Sequence, residues 1–169
     1  MKKLRLVLFA ATMLTSAAYA GQVSVTWLAP EKYTDIKAAV GTDNVFQDVV
    51  TGELGIVFAD LAKKLPDDVK WNVTVTDVDL AGEVLHAKGV TGKDVRVIKD
   101  VYLPRMSVSY SMVDGKGIKI AEGSDEIKDM TFLMKGPHIA SGHTVLKYEE
   151  KMLQDWFKNQ QRDNKFPTK

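Results

Sequence analysis

Strict alternation runs through Trp71-Asn72-Val73-Thr74-Val75-Thr76, with three apolar side chains on one face and three polar ones on the other. That period of two predicts a strand buried on one side. Continued at the same parity, it would deliver Asp77 and Asp79 to the apolar face, while Val78 and Leu80 cross to the other. A core-facing row cannot pass from Val75 into two carboxylates without a bend, a bulge or cationic partners. The corner at Asp77 and Asp79 is therefore the first candidate site.

The rest of the chain supplies the elements around it. Val23, Val25 and Trp27 alternate with Ser24 and Thr26, predicting a first strand that stops near Pro30. Residues 31–44 read as a loop, with Asp43 or Asn44 placed to cap a helix. Phe46, Val50, Leu54, Val57, Leu61 and Leu65 then recur every three or four positions as one helical stripe closed by Pro66. Gly52 and Gly55 inside that helix each cost about 1 kcal/mol relative to Ala, which close packing on a sheet or a kink would explain. Strand, helix and strand make a β-α-β unit, whose two strands run parallel.

Gly82 to Gly92 reads as a flexible connection, and Val95, Val97 and Val101 as a further strand broken by Pro104. Met106, Val108, Tyr110 and Met112 alternate with Ser107, Ser109 and Ser111, predicting a strand with one solvated face. Asp114-Gly115-Lys116-Gly117 turns it into a hairpin with Ile118 and Ile120. Ser124 or Asp125 would cap a short helix carrying Ile127, Met130 and Leu133 or Met134. A last helix from Thr144 aligns Val145, Met152 and Trp156, flanked by Leu146, Leu153 and Phe157, as core rather than ligand cage. Residues 158–169 are polar and read as a frayed end. The expected architecture is α+β: a mixed four- to five-stranded sheet, a β-α-β unit followed by an antiparallel hairpin, with two main helices on one face. One domain over residues 21–157 is expected, since this length buries a single sizeable core.

The first twenty residues change the picture of where the chain works. Lys2, Lys3 and Arg5 precede the apolar run Leu6 to Leu14, and Ala18-Tyr19-Ala20 is a small-x-small cleavage site. This is the pattern of a bacterial secretory signal, so cleavage after Ala20 and delivery to the periplasm or the medium are expected. No later stretch approaches the roughly 20 apolar residues that a transmembrane helix needs. Beyond residue 20 the balance is 20 cations to 22 acids, which gives no electrostatic reason to expect nucleic acid. The absence of cysteine excludes a disulfide framework, a thiolate metal site and a Cys nucleophile.

Chemistry is sparse. Asp77 and Asp79, with Asp35 and Asp100 as neighbours, offer oxygen ligands to a hard cation or a general acid and base. The competing reading is an ion-pair cluster in which Arg96 and Arg105 neutralise them. His138 and His143, five apart in a Gly/Pro loop, do not have helical metal-pair spacing. No Gly-x-Ser-x-Gly elbow occurs, and Ala87 to Asp94 lacks the first glycine and the hydroxyl of a phosphate loop. The predicted polar cluster or ligand site is thus Asp77, Asp79, Arg96, Asp100 and Arg105, with the metal question open and no cofactor implied.

Several blocks together carry a resemblance. They are Val25-Thr26-Trp27 with Tyr33-Thr34-Asp35, the run Val75 to Glu83, Asp94-Val95-Arg96 with Asp100, and Pro104-Arg105 with Tyr110. Lys128-Asp129-Met130-Thr131-Phe132 and Tyr148-Glu149 with Asp155-Trp156-Phe157 complete them. In these the chain resembles a group of small exported bacterial proteins catalogued as domain-of-unknown-function family 3016. The resemblance implies export and a single domain, and no activity. Ala29-Pro30 stands where Asp-Pro is typical, and Leu103 where a second proline or an aromatic often precedes Pro104-Arg105. The function expected is a non-catalytic binding or envelope-assembly module, whose partner is an envelope protein or a small ligand. The alternative is a metal-dependent or carboxylate-based hydrolase using the Asp77/Asp79 corner.

Overall fold

The computed structural model describes residues 21–86, 94–134 and 146–169. Residues 1–20, where a signal segment is expected, the 87–93 stretch, His138, His143, Thr144 and Val145 lie outside the described residues. Four strands form a mixed sheet in the order β1-β2-β5-β6. These are β1 (Gln22–Trp27), β2 (Lys70–Asp79), β5 (Arg105–Val113) and β6 (Lys119–Lys128). The first pair is parallel and the other two are antiparallel. Helix α1 (Asp43–Ala62) joins β1 to β2 as the crossover, and α2 (Lys147–Arg162) follows the sheet.

One face of the sheet is apolar and both helices lie on it. Trp71, at the start of β2, meets Phe58 of α1 edge-on at 5.7 Å and Phe157 of α2 at 5.6 Å between ring centroids. The helical stripe holds as far as Leu61: Val50, Leu54, Val57 and Leu61 are buried and Phe46 packs at the margin of the core, whereas the helix ends at Ala62 and Leu65, also buried, lies beyond it. The opposite face of the sheet carries the polar half of each alternation, with Ser109 and Ser124 in hydrogen-bond contact at 2.9 Å.

Several local expectations are corrected. The segment after Ser124 is not a helix: β6 continues to Lys128 because its backbone pairs with β5 through Arg105↔Lys128. Met130 and Met134 then lie in an exposed turn. The 95–101 strand shrinks to β4 (Val95–Val97), which leaves the main sheet and pairs with β3 (Glu83–Leu85) as a two-stranded ribbon. Val101 is exposed in the following turn. Neither glycine of α1 packs closely, since a methyl group added at Gly52 or Gly55 would meet nothing within 4 Å. Thr42, not Asp43 or Asn44, is the residue before the first turn of α1, and Asp43 instead accepts from the Ala38 amide at 2.9 Å.

The C-terminal end is not frayed. Helix α2 runs on to Arg162, and the chain folds back to bury Phe166 against Tyr110 and Trp156, with centroids 4.9 and 5.4 Å away. Burying a Phe is worth about 1.5–3 kcal/mol, and the Lys165 and Phe166 amides both donate to the Gln160 carbonyl, at 2.9 and 3.1 Å.

Candidate functional site

The corner after Val75 is built by a bulge. In the β2–β5 register Val75 stands opposite Val108 and Asp77 opposite Ser107, so Thr76 is the extra residue. The insertion resets the parity: Val75, Val78 and Leu80 all point inward and are buried. Asp77 and Asp79 are thereby turned away from the core instead of into it. Tyr33 pins the bulge, donating its buried hydroxyl to the Val75 carbonyl at 2.9 Å. Burial, against a smaller opposing backbone contact, pushes the Tyr33 hydroxyl up to about 12.

Asp77 is committed to local structure. Its two carboxylate oxygens accept from the Thr34 amide and the Thr34 hydroxyl, each at 2.7 Å. This clasp brings the 33–35 segment alongside the end of β2, where Asp35 bridges to Asp79. Asp35, not Asp77 or Asp79, then receives Arg96. The guanidinium makes a two-pronged pair with it, Nη1 to Oδ2 at 2.8 Å and Nη2 to Oδ1 at 3.1 Å. Nη2 also donates to the Lys37 carbonyl at 3.1 Å.

Arg105 stands opposite Asp79 in the β2–β5 register. Burial raises the Asp79 carboxyl above its ordinary value, Arg105 opposes that, and Asp35 and Asp77 reinforce it. Asp100 does not join the cluster; it is exposed in the turn beyond β4. Four of the five residues singled out in the sequence thus lie around the end of β2, together with Asp35. Among the described residues no three His, Asp or Glu side chains are grouped so as to hold a metal ion.

A cavity of about 300 Å³ opens beside this cluster. Ala39, Phe46, Leu80, Ile98 and Leu146 give it apolar walls, and Arg96, Lys147 and Glu149 give it charge. Glu149, in the first turn of α2, was not a predicted site residue, yet its side chain is buried with the residue 2% exposed. Its Oε1 accepts from the Ala81 amide at 2.7 Å. Burial raises its carboxyl above the usual glutamate range, against the lowering effect of the Ala81 amide, its own amide and Arg96. The sequence does carry a signal for it. Glu149, Leu153, Trp156 and Gln160 follow one helical stripe, and an acid on the apolar stripe of a helix marks a buried charge.

Gly82 turns the chain between β2 and β3. Its φ of 83° lies in the left-handed region, and an added Cβ would sit 2.4 Å from the Val97 carbonyl oxygen, so no other residue lets β4 lie against the end of β2.

No curated protein matches the chain. Among solved structures it is similar to a minor lipoprotein from Acinetobacter baumannii, at 15% identity over 89% of this chain and 98% of that one, with a TM-score of 0.30. A superposition that loose carries no argument about fold or function. Residues 21–159 match the family described as "Protein of unknown function (DUF3016)", and the chain belongs to that family.

Proposed function

We propose that the chain is exported to the periplasm or the medium and acts there as a non-catalytic binding module for a small ligand held in the cavity over Glu149. The observation that carries this reading is the cavity itself: apolar walls, with a buried carboxyl and a guanidinium at its lining. Ligand sites are concave, mostly apolar and furnished with few convergent polar groups, and perturbed titrating groups gather in them. Export is supported by the basic, apolar and small-residue pattern of residues 1–20. Among the described residues no helix is long and apolar enough to cross a membrane.

The hydrolase alternative has less support. Both oxygens of Asp77 are engaged by Thr34, and Asp100, a further carboxylate that could have joined the Asp77/Asp79 corner, stands in an exposed turn. The sheet edge beside the serine-rich strand does not favour docking of a partner by strand addition. β6 is the edge on that side, and Lys119, Glu122, Asp125, Glu126 and Lys128 along it are the charges with which exposed edges avoid pairing.

A thermal-shift screen of small apolar molecules with one polar group tests the proposal, run on wild type and on Ile98→Trp. Ile98 lines the cavity and is 37% exposed, so the larger ring fills the space without entering the core. Ligands that raise the wild-type melting temperature and leave the variant unmoved support the reading. Ligands that act equally on both sink it.

A further inference from the structure

The charges around the cavity pair off unevenly. Arg96 is held by Asp35 through two hydrogen bonds and by the Lys37 carbonyl. Arg105 stands opposite Asp79. Glu149 is the one carboxylate among the described residues lining the cavity, and it accepts from neutral amides, that of Ala81 at 2.7 Å and its own. Burial favours the protonated form of such a group, and a cation set against it is what would hold it as a carboxylate. The third charged lining residue, Lys147, does not fill the gap, because its ammonium lies over the Tyr148 ring, 4.9 Å from the centroid.

Resting on the binding-module reading, we propose that the cavity takes a primary amine on a small apolar body, its ammonium group set against the Glu149 carboxylate. The hydrocarbon lies on Phe46, Leu80, Ile98 and Leu146. At about 30 Å³ per water, the cavity equals roughly ten waters, so the ligand has on the order of ten heavy atoms. An anionic head group is disfavoured at the same place. It would meet the Glu149 carboxylate and find the Arg96 terminal nitrogens already engaged by Asp35. Lys147, at the rim, is a competitor of the ammonium group.

Three six-carbon probes that differ in head group test this: hexylammonium, hexan-1-ol and hexanoate, titrated into the mature chain at neutral pH and followed by amide NMR. The Ala81 amide, bonded to Glu149, is the reporter, with Leu80 and Tyr148 beside it. Hexylammonium is expected to shift these amides saturably at about tenfold lower concentration than hexan-1-ol, the ratio corresponding to one desolvated charge contact. Hexanoate should leave them in place. Glu149→Gln should bring the first two probes level, and Lys147→Ala should lower the hexylammonium midpoint. If Glu149→Gln does not fold, the probe ratio in wild type and Lys147→Ala decides alone. Hexanoate or hexan-1-ol binding as tightly as hexylammonium overturns the amine assignment and leaves the cavity as a binding site. No probe moving these amides overturns both.

Discussion

Ala81 donates its amide to Oε1 of Glu149 across 2.7 Å, tying the end of β2 to the first turn of α2, 68 positions later in the chain. The contact satisfies a backbone donor that would otherwise be buried beyond the last sheet pairing. It also fixes an acid at the lining of the cavity, which is what gives the site its chemistry.

The titration of that acid predicts a pH dependence. Burial raises Glu149 in the folded chain above its ordinary 4.5. Between that value and the raised one, the folded state holds a proton that the unfolded state has released. Stability from this group is therefore greatest in acid and declines as pH rises through the window. Glu149→Gln removes this dependence. Urea unfolding of both proteins across pH 4 to 8 should show wild type losing stability relative to the variant as pH rises. A constant difference would contradict it.

Arg96 ties β4 to the 35–37 segment and, through the Ala81 and Gly82 carbonyls at 3.4 and 3.5 Å, to the chain leaving β2, with side-chain exposures of 18% for it and 19% for Asp35. Lysine cannot reproduce the two-pronged geometry or reach the Lys37 carbonyl as well. Arg96→Lys should lower unfolding free energy by about 2 kcal/mol, the usual scale for hydrogen bonds to charged groups. Denaturant midpoints at constant slope measure it, and an unchanged midpoint counts against the cluster as a structural unit.

Tyr33→Phe isolates the hydroxyl that holds the bulge. The ring stays in the core and the Val75 carbonyl keeps the Leu28 amide at 2.9 Å, so the loss should be modest, about 1 kcal/mol. Because both Asp77 and Asp79 owe their direction to the bulge, the amide shifts of residues 76–79 should move more than those of the distant β6.

The bulge also marks the limit of what the sequence conveys. Alternation in β2 and β5 and the stripe of α1 are legible because each buries one face against a single partner layer. The break at Asp77 was legible as a conflict, and Thr76 resolved it by backbone geometry, which has no side-chain signature of its own. The helix expected after Ser124 gives way to β6 because Ile127, Met130 and Leu133 fit a helical spacing only by coincidence. The inward positions of the strand are not apolar enough to show a period of two. Gly123 has no side chain because the Tyr110 hydroxyl lies where a Cβ would go, 2.6 Å away. Asp125 faces in to accept from the Trp156 indole at 2.9 Å. Arg96 and Asp79 were recognisable as members of one cluster. That Arg96 pairs with Asp35 depended on the Thr34–Asp77 clasp, a contact across 43 positions.

Backbone conformation supplies a pair of opposed predictions. Gly52→Ala and Gly55→Ala, in open helical positions, should each stabilise by about 1 kcal/mol. Gly82→Ala should destabilise by more than that, since it adds both a left-handed φ and a backbone collision. Thermal melts of the three single variants compare them directly. Stabilisation by Gly82→Ala would contradict the packing of β4 on the end of β2.

The most direct measurement is native mass spectrometry of the protein isolated without refolding from the cells that make it or from their medium, as wild type and as Ile98→Trp. A small-molecule mass carried by wild type and lost from the variant is the predicted result. Identical spectra from the two, with or without an adduct, would contradict a ligand seated over Glu149.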